Sequence, residues 1–132
     1  MRKLLFLLVV IALAACGADA PTAGERASQA AKVYYDELLA GHYDQFLDAR
    51  AGIEGIPAGY REQLLAGLRQ FMAQQQDAHQ GIQSVEVSTT TQPCLDSTLN
   101  IMQVFLMLSY GDSTHEEIVV PMIEQNGEWK MR

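Results

Sequence analysis

"STLNIMQVFLMLSYGD", residues 97–112, decides the fold. Its even positions, Met102, Val104, Leu106, Leu108 and Tyr110, are apolar without a break. Its odd positions, Leu99, Ile101, Phe105 and Met107, are also apolar, interrupted by Gln103 and Ser109. A strand that is apolar on both faces belongs at the centre of a sheet, covered on both sides. Downstream, "YGDST" reads as a turn, and "HEEIVVPMIEQ", residues 115–125, returns as a second strand with a kink expected at Pro121. Asn126-Gly127 is a strong hairpin signal, and it leads into a short last strand, Glu128 to Met131, with Trp129 toward the core. Upstream, "IQSVEVSTTT", residues 82–91, is rich in β-branched residues and alternates in part, which makes a fourth strand.

Before Gly81 the period is helical. Ala27, Ala31, Tyr34, Tyr35, Leu38 and Leu39 recur at spacings of three and four and form one apolar stripe, which stops at Gly41. "HYDQFLDA", residues 42–49, supplies a short second helix. "RAGIEGIPAG", residues 50–59, is a loop with three glycines and a proline. A third helix is expected from about Ala58 to Ala78, with Tyr60, Leu64, Leu68, Phe71, Met72 and Gln75 on its inner face. Helices followed by strands joined by hairpins make an α+β fold. The expected packing sets the N-terminal helices in the concave face of a curved, about four-stranded antiparallel sheet.

The N-terminus carries a separate message. Arg2 and Lys3 precede a twelve-residue apolar run, Leu4 to Ala15. A bilayer span needs about 20 residues, so the run reads as the apolar core of a signal peptide. It ends in Leu13-Ala14-Ala15-Cys16, which resembles the lipobox of bacterial lipoproteins. The resemblance implies cleavage before Cys16 and lipidation of its thiol. Residues 1–15 would then be a removed leader, 16–26 a lipidated terminus and flexible tether, and 27–132 one domain. Two or more acyl chains hold a protein on a membrane stably, so the membrane would be the first partner and the bacterial cell envelope the location. Gly17-Ala18-Asp19 does not match the inner-membrane retention signal of enteric bacteria, which favours the outer membrane.

Charge narrows the remaining partners. Nine Lys and Arg stand against sixteen Asp and Glu, a formal −7, and loss of Arg2 and Lys3 with the leader deepens it to −9. Such a chain repels phosphate backbones, so nucleic acid is excluded as an expected partner. With Cys16 lipidated, Cys94 is the one remaining thiol, read as a small half-buried residue, and no internal disulfide is expected. Three histidines without HxH or HxxxH spacing do not suggest a metal site, and no cofactor is expected.

"AAKVYYDELLAGHYDQFLDA", "FMAQQQDAHQGIQSVEV" and "IVVPMIEQNGEWKM" follow the order and pattern of the nuclear transport factor 2-like superfamily. They resemble its small secreted or lipid-anchored bacterial domains, over about residues 27–132. The resemblance implies a cystatin-like cone with a pocket between sheet and helices, and often a dimer through the sheet. Catalytic members of the superfamily place Asp or His with Tyr inside the cone. Here Tyr34, Tyr35, Asp36, His42, Tyr43, Tyr110 and His115 are the titratable candidates, and none matches a family motif. Tyr34, Gln103 and Tyr110 are the pocket residues taken forward. Ile101, Phe105 and Met107 are expected as an exposed apolar patch that meets a second copy or an envelope protein. His79 reads as a helix-end contact. Two functions follow: a non-catalytic ligand- or protein-binding module on a lipid anchor, or a small pocket enzyme of the isomerase or dehydratase type. A cavity lined by His or Asp with Tyr would favour the second.

Overall fold

The computed structural model describes residues 20–132. The expected leader, with Leu13, Ala14 and Ala15, and the expected lipidation site Cys16 lie outside the described residues. Helix α1 spans Ala23–Leu39, α2 Tyr43–Asp48 and α3 Ala58–His79, with one 3-10 turn at Ile53–Gly55. Five strands follow: β1 Ile82–Val87, β2 Cys94–Asp96, β3 Ile101–Tyr110, β4 His115–Gln125 and β5 Glu128–Met131. Among the described residues no helix is long and apolar enough to cross a membrane.

Helix α1 begins four residues before the expected Ala27. Thr22 caps it, accepting a hydrogen bond from the Glu25 backbone N–H at 3.1 Å. Thr22 and Glu25 have the spacing of a capping box, which outweighs Pro21 and Gly24, the residues that read as tether. Ala27 and Ala31 are fully buried, and Ser28 beside them nearly so. These small side chains let α1 lie close on the sheet. Tyr34, Tyr35 and Leu39 pack at the margin of the same core. The helix ends as expected, with Gly41 in the left-handed region at φ +84°.

The sheet is antiparallel in the order β1-β3-β4-β5, with β3 central as its sequence requires. The fifth strand, β2, corrects the expected count of four. It pairs with β3 from Cys94↔Gln103 to Asp96↔Ile101, continuing the edge that β1 occupies from Val87↔Leu106 onward. Three residues are too few to show a period, so the sequence pattern could not reveal it. This short edge piece leaves Cys94 exposed, not half-buried. Pro121 sits in β4 without breaking register, opposite Gln103. Its carbonyl accepts from the Arg132 N–H, so its N–H-less side faces the β5 edge and β3 loses no donor. Asn126 and Gly127 both have positive φ, as a two-residue hairpin turn requires.

Met102, Val104, Leu106, Leu108 and Tyr110 of β3 face the helices, with Val120, Met122 and Met131 beside them. The opposite face differs from expectation at all three patch residues: Ile101 is 3% exposed, and Phe105 and Met107 are half-buried rather than exposed. The loop after α2 joins the β5 edge through a parallel bridge between Arg50 and Met131. The Ser88, Thr90 and Thr91 hydroxyls converge on the Glu117 carboxylate. Because β1 and β4 flank β3 on opposite sides, those bonds reach across β3 on its outer face. They hold Glu117 below the usual carboxylate range, the Ser88 bond contributing most.

Candidate functional site

A cavity of about 610 Å³ opens between the helices and the inner face of the sheet. Its floor is Leu108 and Tyr110 of β3 with Glu116, Ile118 and Val120 of β4. Its other walls come from Tyr35 and Leu38 of α1, Phe46 of α2, and Leu68, Phe71, Gln75 and His79 of α3. Side chains two apart on a strand share a face. The alternation that put even-numbered residues of β3 inside therefore also aims Glu116, Ile118 and Val120 at the same space.

One end of the cavity holds a polar cluster. The phenol of buried Tyr110 donates to Glu116 Oε2 at 2.6 Å. Burial, reinforced by that carboxylate, pushes the Tyr110 hydroxyl up to about 12, so it stays a donor at neutral pH. The His79 ring lies over Tyr110 with centroids 4.5 Å apart, and its Nδ1 is 3.0 Å from Asp112 Oδ2. Hydrogen bonds from Thr114 and then from His79 pull the Asp112 carboxyl down to about 2, so it is ionised at all ordinary pH.

Backbone contacts between the end of α3 and the β3–β4 turn assemble this cluster. The α3 terminus closes with Gly81 N–H to Gln75 C=O and Gln80 N–H to Gln76 C=O, the paired bonds of a left-handed helix stop. The turn then docks on it: Gly111 N–H bonds Gly81 C=O at 2.9 Å, and Asp112 N–H bonds His79 C=O at 3.0 Å. A Cβ on Gly111 would meet the Gln80 carbonyl oxygen and lie 2.8 Å from the Gln80 Cβ. Only glycine permits this approach. The contact sets His79 and Asp112, 33 residues apart in the chain, side by side.

The other end carries Arg50 and Arg132. Tyr35 lies on the same side. Its phenol is pushed up by burial and pulled back in part by the Arg50 charge. Its ring meets Phe46 edge to face at 5.2 Å.

Of the three pocket residues taken from the sequence, Tyr110 lines the cavity and the other two do not. The Tyr34 hydroxyl is spent on the Trp129 carbonyl, and Gln103 sits on the outer face of β3. Asp36 pairs with Lys32 on the solvent side, and His42 with Glu37 just past the end of α1. Tyr43 packs at the core margin, and His115 contacts Ser109 on the outer face. His79 is more than the helix-end contact expected of it, because its partner is a side chain from a distant turn. Sequence reasoning missed Arg50, Arg132, Asp112 and Glu116. The alternation of β4 could have placed Glu116; no local pattern marks the other three. Among the described residues no group of His, Cys, Asp and Glu is arranged to hold a metal ion.

No family model matches the chain, and no curated protein matches it. Among solved structures it is similar to a protein of Campylobacter jejuni described as an NTF2-like transpeptidase. The TM-score is 0.57 and the identity 8%, over 76% of this chain and 92% of that one. The fold is the nuclear transport factor 2-like cone. The helices packed in a curved antiparallel sheet are those expected from the order of helices and hairpin-joined strands, and the cavity occupies the hollow of the cone. At 8% identity the likeness is one of fold alone.

Proposed function

We propose that this chain is a lipid-anchored domain of the bacterial cell envelope whose cone binds one small, mostly apolar molecule without transforming it. The cavity carries the reading. Its volume of about 610 Å³ falls among small-molecule sites, and it has their character, an apolar middle with a few converging polar groups. The leader and Leu13-Ala14-Ala15-Cys16 support the anchor, with the outer membrane favoured. The neighbour's description as a transpeptidase is not carried over. Among the described residues lining the cavity there is no serine, cysteine or threonine to act as nucleophile.

A pocket isomerase or dehydratase is the second reading, favoured by the His79–Asp112 pair beside Tyr110. It needs a group poised to exchange a proton with substrate in a site that sheds water. Here the Tyr110 proton is committed to Glu116, Asp112 is held ionised, and the His79 side chain is 40% exposed. Those properties suit orientation of a ligand better than proton transfer.

Two preparations test the reading, one for the anchor and one for the cavity. Mass spectrometry of the protein made in its own cells should show a chain beginning at lipidated Cys16. An unmodified thiol or a retained Met1 to Ala15 overturns the anchor. The mature chain carrying Cys16→Ser, titrated with 1-decanol as a neutral apolar probe, should show NMR shifts at Leu68, Ile118 and Val120. Leu68→Trp should abolish them by filling the space. Absence of those shifts, or unchanged binding in Leu68→Trp, overturns the ligand-binding reading.

A further inference from the structure

Resting on that reading of the cavity, we infer that its ligand carries an anionic head, a carboxylate in the simplest case, held between Arg50 and Arg132 with its apolar body along Ile118 and Val120. The backbone brings these two arginines together. Loop residues 49–51 pair with the end of β5: Met131 N–H bonds Ala49 C=O at 2.8 Å, and Ala51 N–H bonds Met131 C=O at 2.7 Å. Arg50, between them, is thereby placed beside Met131, the residue before Arg132. Arg132 is fixed in turn by its N–H on the Pro121 carbonyl at 3.0 Å. Both residues line the cavity.

Their charge is unanswered. Lys32 has Asp36, Arg61 has Asp44 and Asp48, and Lys130 has Glu128, whereas among the described residues Arg26 and Arg69, outside the cavity, have no carboxylate within 4 Å. Among the described residues neither Arg50 nor Arg132 makes an ion pair within 4 Å, although acids outnumber bases sixteen to nine in the chain. The planar guanidinium forks match the two oxygens of a carboxylate. The far end of the cavity has the opposite sign, with Glu116 on the wall and the ionised Asp112 behind His79. Glu116 and Pro121 stand five residues apart on β4, about 17 Å at ~3.3 Å per residue. An amphiphile with one negative head is thus drawn to one end and repelled from the other, and the apolar floor lies between.

The test compares decanoate with 1-decanol on the mature Cys16→Ser chain, both kept below aggregation. Decanoate should bind at least about tenfold more tightly. Arg50→Gln with Arg132→Gln should remove that preference while decanol still binds. Arg61→Gln, which removes an equal charge outside the cavity, should keep it. Equal affinities in the parent chain, or a preference that survives the double variant, overturn the anionic head while leaving the cavity as a ligand site. Failure of both probes to bind overturns the cavity reading and this inference with it.

Discussion

Helices α1 and α3 look alike in sequence and do opposite work. Each shows an apolar stripe at helical spacing. Along 17 residues α1 buries Ala27, Ser28, Ala31 and Leu38, whereas the 22 residues of α3 bury Leu65 alone. The stripe of α1 is small where it meets the sheet, so the helix settles against the sheet and becomes core. The expected inner face of α3 was Tyr60, Leu64, Leu68, Phe71, Met72 and Gln75, but Tyr60 and Phe71 are 50% and 40% exposed. Leu68, Phe71 and Gln75 face the cavity. An apolar stripe therefore says that a helix has an inside; it does not say whether that inside is filled. In this cone α1 is mostly core and reaches the cavity with Tyr35 and Leu38, whereas α3 is chiefly a wall of the site.

Substitutions that delete similar bulk from each helix would break or sharpen that contrast. The largest effect is expected for Leu38→Ala on α1, where a side chain 1% exposed leaves a hole in the core. A loss of about 2–5 kcal/mol in chemical unfolding is expected. A loss below about 1 kcal/mol would mean that α1 is no better packed than α3. Gly111→Ala should come next, at about 1–3 kcal/mol, because its Cβ is driven into the Gln80 backbone where the turn meets the end of α3. It should also part His79 from Asp112, visible as a change in the His79 ring resonances. An unmoved ring would show that this docking does not position the cluster. The smallest effect on stability is expected for Phe71→Ala, within about 0.5 kcal/mol, yet decanol binding should weaken severalfold. A large destabilisation by Phe71→Ala would place α3 in the core and end the distinction.

The two faces of β3 repeat the lesson. Its inner residues, Val104, Leu106 and Leu108, are core as the unbroken alternation demands. Its outer residues Phe105 and Met107 are only half-buried, beneath hydrogen bonds that run from Ser88, Thr90 and Thr91 to Glu117. Hydroxyls and a carboxylate crossing an apolar strand leave no hydrophobic signal, so periodicity gives no warning of them.

The sequence by itself determined what depends on near neighbours in the chain: the doubly apolar β3 at the centre, the Asn126-Gly127 hairpin, the stop at Gly41, and the order of helices before strands that makes an α+β fold. Tertiary structure decided the site. His79 with Asp112, Tyr110 with Glu116, and Arg50 with Arg132 meet because a glycine lets one turn dock on a helix end, because a strand turns back on itself, and because a loop pairs with the last strand. A period of 2 or 3.6 residues records which way a side chain points from its own element. It holds no information about which distant side chain will stand opposite, because that depends on how the elements pack.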